Sequence, residues 1–286
     1  MINILVTGSK GQLGNEIRKL ENQYPDFNFF FTDIEELDLT NEDAVALWFH
    51  KNKPQVVLNC AAYTAVDKAE DDRELSMLVN KTAVSYLAKS CTRHNALLIH
   101  ISTDYVFDGT NHKPYNEHDK TQPISFYGLT KLEGEVAIQQ SEARFVIIRT
   151  SWLYSVHGNN FVKTMIRLGK ERDSLGVVFD QVGTPTFAGD LAQAMLEATT
   201  QMHDQQVKEV FHYSNEGVIS WYDFAKAIME DAGINCQVNA IESKDFPTKT
   251  NRPFYSVLNK TKIKTQLNLK VPYWRDSLKN MIDELE

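Results

Sequence analysis

The sequence predicts an α/β fold: a doubly wound parallel sheet followed by a smaller, mainly C-terminal lobe. Three observations predict it. Short runs rich in Val, Ile and Leu alternate with stretches of helical periodicity through the first half of the chain, the pattern of βαβ units around a buried parallel sheet. A loop carrying Gly8, Gly11 and Gly14 joins the first strand to the first helix. Beyond residue 150 the alternation loosens, which marks added structure rather than further repeats of the same unit.

Taken in order, residues 4–7 read as a strand, and Leu13, Ile17 and Leu20 then recur at helical spacing. Residues 29–32 form a second strand. Residues 40–43 read as a helix cap with acids in the first turn, ahead of Val45, Leu47 and Trp48. A third strand spans 56–62, and one helical stretch follows through Leu75, Val79, Ala83 and Leu87. A fourth strand covers 97–102, the helix that holds Tyr127 comes next, and a fifth strand covers 145–150. Further on, 160–171 and 188–200 look helical, and 176–180 and 210–213 look extended. Ser220 with Asp223 caps a helix to Asp231. A short strand lies near Val238, and a closing helix starts at Trp274. No internal repeat, linker or low-complexity tract interrupts the chain.

Composition narrows the function. The chain has 286 residues, 42% hydrophobic and 24% charged, as in a soluble globular protein. Its net charge of −8 argues against broad nucleic-acid binding, and an anionic ligand would need a local pocket of donors. No apolar run has the length of a membrane span, and no basic-then-apolar leader precedes the first strand, so a cytoplasmic chain is expected. Three widely spaced cysteines, Cys60, Cys91 and Cys236, read as free thiols in a reducing compartment. No Cys or His pair has metal-ligand spacing, there is no phosphate-binding G-x-x-x-x-G-K-[ST] loop, and Ser102 lacks a nucleophile elbow. None of the eight histidines forms a catalytic pairing in the sequence.

The glycine loop has the spacing G-x-x-G-x-x-G between a strand and a helix. Glycine tolerates the positive φ of a tight turn and lets backbone approach a phosphate, while the helix N-terminus offers free N–H groups to a pyrophosphate. Asp33 ends the second strand about 20 residues further on, where a carboxylate accepts from a ribose 2′-hydroxyl and favours NADH. Lys10, inside the loop, is able to pair with a 2′-phosphate, so NADPH fits as well. The loop makes residues 1–155 with 175–215 a dinucleotide-binding Rossmann domain, and leaves 156–174 with 216–286 as the substrate lobe.

Tyr127 and Lys131 stand four apart and so share a helix face. A free phenol titrates at about 10, too high for easy proton transfer near neutral pH. A neighbouring ammonium lowers it, and a drop of about two or three units reaches the range where acid–base catalysis is efficient. Such a spacing is also common on helix surfaces. What selects it here is Ser102-Thr103-Asp104-Tyr105-Val106-Phe107, at the carboxyl end of the fourth strand, where doubly wound sheets bind ligands. Thr103 there offers a hydroxyl to a substrate carbonyl, and Asp104 and Tyr105 are either turn residues or walls of the same pocket.

On the glycine loop, the threonine and the Tyr127–Lys131 pair, the chain resembles the extended short-chain dehydrogenases/reductases. The likeness runs over nearly the whole length. It is carried by Gly11-Gln12-Leu13-Gly14, by the stretch from Asn59 through Tyr63-Thr64 to Glu70, by Thr103-Asp104-Tyr105, by Tyr127-Gly128-Leu129-Thr130-Lys131, by Arg149-Thr150-Ser151-Trp152, by Gly158-Asn159-Asn160-Phe161 and by Arg252-Pro253. The resemblance implies hydride transfer from NADH or NADPH to C4 of a dTDP-linked 4-keto-6-deoxysugar. It implies Tyr127 as proton donor, Lys131 on the nicotinamide ribose and lowering the phenol, and Thr103 on the carbonyl. By position it puts Gly8, Gly11, Gln12, Leu13 and Gly14 at the pyrophosphate, Asp33 at the adenosine ribose and Asp38 and Leu39 beside adenine. Ala62, Tyr63 and Thr64 flank the cofactor; Asp104, Tyr105 and Trp152 line the sugar pocket; Arg252 meets the sugar nucleotide's diphosphate. Some members hold Mg2+ between glutamates at a homodimer contact; Glu16 has one such place, but Gly189 stands where its partner acid is expected. Two other functions use the same fold: an epimerase or dehydratase that recycles bound NAD, and a non-catalytic NADP-binding regulatory subunit. Retention of Thr103, Tyr127 and Lys131 together speaks against the subunit.

Overall fold

Strand β1 (Ile2–Thr7) is buried along its last four residues and lies inside a six-stranded sheet in the computed structural model, which describes residues 1–285. Its neighbours are β2 (Phe27–Phe31) on one side and β3 (Val56–Asn59) on the other. Beyond β3 come β4 (Leu97–Thr103), β5 (Arg144–Thr150) and an outer strand, Lys208–His212. Every pairing is parallel. The order therefore reverses direction between β1 and β3. In open parallel sheets that switch point opens a crevice at the carboxyl ends of the strands. The glycine loop after β1 and residues Cys60 to Thr64 after β3 both emerge there.

Helices cover both faces. Helix α1 (Gln12–Leu20) buries Leu13 and Ile17 on one face of the sheet. Helix α2 (Glu42–Asn52) packs Val45 and Phe49 on the other, and Asn41, not Thr40, caps it through Ala44 N–H at 3.1 Å. Thr40 instead donates its hydroxyl to Asp38. The stretch expected as one helix is broken: α3 (Arg73–Met77) and α4 (Ala83–His94) are joined by a π-turn at Leu78–Thr82. The π-turn carries the buried Asn80. Helix α5 (Phe126–Gln139), capped by Ser125 accepting from Gly128 N–H, lies on the same face as α4.

The second half departs from the sequence division in two places. After β6 (Leu153–Tyr154) and α6 (Phe161–Glu171), strand β7 (Ser174–Val178) leaves the main sheet. It pairs instead with a distant strand, Gln237–Ile241, and packs Leu175 and Val177 into the lobe's own core. The short β8 (Val182–Gly183) and β9 (Thr186–Phe187) lead into α7 (Ala188–Met202), which lies beside α1 on the main sheet. Lys208–His212, now β10, closes that sheet. Then β11 (Ile219–Ser220), α8 (Trp221–Asp231) with its Ser220–Asp223 capping box, and β12 (Gln237–Ile241) complete the lobe together with α10 (Trp274–Leu285). The intervening α9 (Thr261–Gln266) was unmarked in the sequence; its Ile263 and the adjoining Leu267 pack against the main sheet rather than the lobe. Buried apolar area decides both memberships, because β7 and α9 each follow their hydrophobic faces and not their place in the chain.

Candidate active site

Gly8 turns at φ +61, and a Cβ there would meet Ala61 backbone at 2.8 Å, so the loops after β1 and β3 close on each other. A Cβ on Gly14 would stand 2.5 Å from Gly8 O and Ser9 Cα, so only glycine lets α1 start this near the strand. Gly11 caps α1 without any side-chain hydrogen bond, which leaves the helix's first N–H groups free for an anion. These features fit a pyrophosphate. Gly14→Ala is expected to destabilise the fold by about 1–3 kcal/mol and to weaken NADPH binding, checked by urea unfolding and cofactor titration.

The other loop residues take definite places. Leu13 is buried in the core and offers only its backbone. Gln12 accepts from Asn160 of the lobe at 3.0 Å. Asp33 does not stand free at the end of β2: its carboxylate accepts from Lys10 N–H at 3.0 Å and Ile34 N–H at 2.9 Å, which ties the strand end to the glycine loop. The Lys10 ammonium reaches Glu35 at 2.7 Å, so its approach to a 2′-phosphate competes with that pair. Asp38 accepts twice from Thr40, and Leu39 packs under α2 and its neighbours. Asn80 clamps Tyr63 by both ends of its amide, accepting from Tyr63 N–H at 2.9 Å and donating to Tyr63 C=O at 3.0 Å. That fixes the segment Ala62-Tyr63-Thr64 along the crevice while the Tyr63 phenol leans out to Asp72.

Tyr127, Lys131 and Thr103 are all buried at the carboxyl end of the sheet. Thr103 donates to Asp104 Oδ1 at 2.9 Å and its oxygen receives Tyr105 N–H. Burial pushes the Tyr127 phenol above its ordinary value, with the Thr103 hydroxyl pulling the other way. The Tyr105 ring meets Tyr127 edge-on at 5.5 Å. The lowering expected from the spacing does not prevail, because burial raises the phenol on balance. The Lys131 ammonium donates to Ile101 C=O at 2.7 Å, and burial has brought its own titration down to about 8. A lysine brought down this far has lost its charge before the raised phenol titrates, and it is a ready proton carrier near neutral pH.

Asp104 is buried with Oδ2 unpartnered, and burial lifts its carboxyl from 3.8 to about 6. Its folded-state value lies above the unfolded one, so the stability it brings is complete below about pH 4 and is lost as pH rises through 6. Asp104→Asn keeps the oxygen that Thr103 uses and cannot ionise. It is expected to be more stable than the parent by about 3 kcal/mol at pH 8, with the gap closing toward pH 4, in urea unfolding across that range.

Trp152 has a left-handed backbone, φ +50, and stacks on Trp221 with ring centroids 3.6 Å apart, its ring lying over Gly183. It thus sits between the end of β5 and the lobe. Arg252 reaches back to Asp67 after β3 at 3.1 Å, while its buried Nε has no partner. A guanidinium with donors left over suits a diphosphate. Glu16 is buried and paired with Lys19 at 3.1 Å; among the described residues no three His, Cys, Asp or Glu side chains group to hold a metal ion.

The sequence reading missed Asn80, whose place depends on a π-turn, and Glu135. Glu135 stands four residues after Lys131, and extending the Tyr127–Lys131 face by one more turn would have found it. It is buried, holds Arg149 of β5 bidentately at 2.7 to 3.2 Å, and raises Lys131 against the effect of burial.

An extended short-chain dehydrogenase/reductase, an oxidoreductase working with a nicotinamide cofactor, is the class that this sheet order, glycine loop and Tyr–Lys helix define. Within it, the chain belongs to the RmlD substrate binding domain family, whose model matches residues 2–286. It is 41% identical to the dTDP-4-dehydrorhamnose reductase of Aggregatibacter actinomycetemcomitans, over 98% of each chain. It superposes with a TM-score of 0.94 on a dTDP-4-dehydrorhamnose reductase from Clostridium acetobutylicum, 43% identical over 99% of each chain. The Bacillus anthracis dTDP-4-dehydrorhamnose reductase in complex with NADP gives 0.93 at 35% identity, covering 99% of this chain and 100% of that one. At 18% identity, a UDP-glucose 4-epimerase from Thermus thermophilus shares the fold with a TM-score of 0.82.

Proposed function

We propose that the chain reduces the C4 ketone of dTDP-4-dehydro-L-rhamnose to dTDP-L-rhamnose, the last step of dTDP-rhamnose synthesis, with NADPH or NADH. The observation that carries this reading is the full-length likeness to dTDP-4-dehydrorhamnose reductases at 41% identity, in a chain that keeps Thr103, Tyr127 and Lys131 together in the crevice. When bound, the nicotinamide supplies hydride to C4. The residues of the chain do the rest. The open N-terminus of α1 and the glycine loop hold the pyrophosphate. Thr103 orients the ketone, and Tyr127 gives its proton to the forming alkoxide. Burial keeps Tyr127 protonated at working pH, which is the state a proton donor needs, and an alkoxide is basic enough to take that proton. Lys131 holds the nicotinamide ribose and restores the proton. Asp104, Tyr105 and Trp152 border the sugar, and the unpaired Nε of Arg252 meets the diphosphate. Asp33, Asp38 and Leu39 border the adenosine. The free thiols of Cys60, Cys91 and Cys236 fit a cytoplasmic location.

The test is purified protein with dTDP-4-keto-6-deoxy-L-mannose and NADPH or NADH, followed by loss of the reduced nicotinamide absorbance. Stoichiometric oxidation with formation of the C4 alcohol is expected. Absence of oxidation with both cofactors would refute the reading, and turnover with recycled NAD would assign the chain to the epimerases instead.

A further inference from the structure

Behind Lys131 runs a file of buried polar side chains that the proposed chemistry does not use. Thr7, Asn59 and His100 are register neighbours on β1, β3 and β4. All three are buried. Thr7 Oγ1 donates to Asn59 Oδ1 at 2.7 Å, and Asn59 Nδ2 lies 2.9 Å from His100 Nδ1. The other ring nitrogen, Nε2, stands 3.5 Å from Lys131 Nζ. Nothing in the apolar centre of a parallel sheet calls for a histidine, and a buried amide and imidazole are retained only where each finds a partner.

The file has a direction. The hydroxyl of Thr7 occupies the amide oxygen of Asn59, so the amide turns its N–H toward the ring. An N–H donates, hence His100 Nδ1 accepts and carries no hydrogen. Burial and the nearby Lys131 keep the ring neutral, well below the usual histidine range. Its single hydrogen is then on Nε2, aimed at Lys131. A donor facing Nζ opposes the ammonium and suits the neutral amine, which has a lone pair to receive it.

We propose that Thr7 and Asn59 lock His100 in the Nε2–H tautomer, and that His100 thereby positions Lys131 and stabilises the amine it becomes after returning a proton to Tyr127. The inference rests on the reductase reading above. The step balances. Tyr127 loses its proton to the alkoxide and becomes phenolate. Lys131 then passes one of its ammonium protons to that phenolate and is left as an amine accepting from His100 Nε2–H. Water restores the ammonium. The remaining groups around Lys131 are Glu135 on its own helix, which favours the ammonium and is itself neutralised by Arg149, and the Cys60 thiol at the end of β3, held protonated by burial. Tyr127, one turn back on α5, is held protonated by its own burial. Among these neutral groups His100 turns a fixed N–H, at Nε2, toward Nζ.

Two measurements test this on the full chain. The first needs no turnover. Isotope-labelled histidine is incorporated, and the ring nitrogens of His100 are assigned by their loss in His100→Gln. A bare Nδ1 and a protonated Nε2 are expected in the parent, with the hydrogen redistributed in Asn59→Leu and Thr7→Val. A hydrogen on Nδ1 in the parent would overturn the proposal. The second is the pH profile of kcat. With the opposing donor gone or freed, His100→Leu and Asn59→Leu are expected to move the alkaline limb upward by at least about half a pH unit. His100→Gln, which still presents an N–H, stays near the parent. A merely structural file would lower stability or kcat without moving the limb, and that result would overturn the role. Should His100→Leu fail to fold, the parent spectrum and the milder Thr7→Val still decide. An inactive parent with the expected tautomer would sink the reductase reading while leaving the lock intact.

Discussion

Tyr127→Phe is expected to lower kcat by a factor of about 10² to 10⁴ while leaving the dissociation constant for NADPH nearly unchanged. The substitution removes one oxygen from a buried ring whose packing against Tyr105 is edge-on at 5.5 Å and does not need the hydroxyl. Geometry, glycine loop and Thr103 all remain. What disappears is the proton for the alkoxide, and a water would have to take its place beside the buried Thr103 and Asp104. Steady-state turnover and a separate binding titration of the cofactor make the two effects distinguishable. A variant as fast as the parent would remove Tyr127 from the chemistry; a variant with lost cofactor affinity would make it a binding residue instead. The phenol's elevation by burial sharpens the expectation. A group that stays protonated well above neutral pH is present in its donor form across the working range, so the acid limb of the parent's profile does not come from Tyr127.

The chemistry that lies close in sequence was legible there, and the chemistry that depends on register was not. Gly8, Gly11 and Gly14 announce the phosphate loop because the backbone demand is local. Tyr127 and Lys131 announce a shared face because helical spacing is local. Yet the spacing also implied an ammonium turned toward a phenol, and the structure turns Lys131 toward Ile101 C=O and His100. Those partners are about thirty residues upstream, on another element. His100 itself is separated from Asn59 by 41 residues and Asn59 from Thr7 by 52, so no window of sequence contains the file. The π-turn at Leu78–Thr82 is similar: its residues have ordinary helix periodicity, and only the demand of Tyr63 for Asn80 shows why the helix widens. The domain division failed at β7 and α9 for the same reason. An alternating strand buries one side wherever a partner exists, and the partner of β7, Gln237–Ile241, lies sixty residues on.

Arg149→Met is expected to destabilise the fold by about 3–5 kcal/mol, because it leaves the Glu135 carboxylate buried without its counter-ion. The pair spans β5 and α5, with both side chains almost fully buried and three contacts of 2.7 to 3.2 Å. The guanidinium also donates to Glu117 C=O at 3.3 Å and lies 5.2 Å from the Phe107 ring, so its loss loosens the loop before α5 as well. Urea unfolding measures the change. The double variant Arg149→Met, Glu135→Met removes both charges and is expected to recover most of the loss, since the penalty comes from the orphaned charge and not from the missing attraction. The two variants part company in function. With Arg149 gone and Glu135 kept, the uncompensated carboxylate one turn from Lys131 favours its ammonium and moves the lysine's titration up; with both gone, that support vanishes and burial pulls it further down. The stable double variant is therefore expected to lose activity on the alkaline side sooner than the parent. Equal alkaline limbs in the double variant and the parent would show that Glu135 holds the helix in place without tuning the lysine.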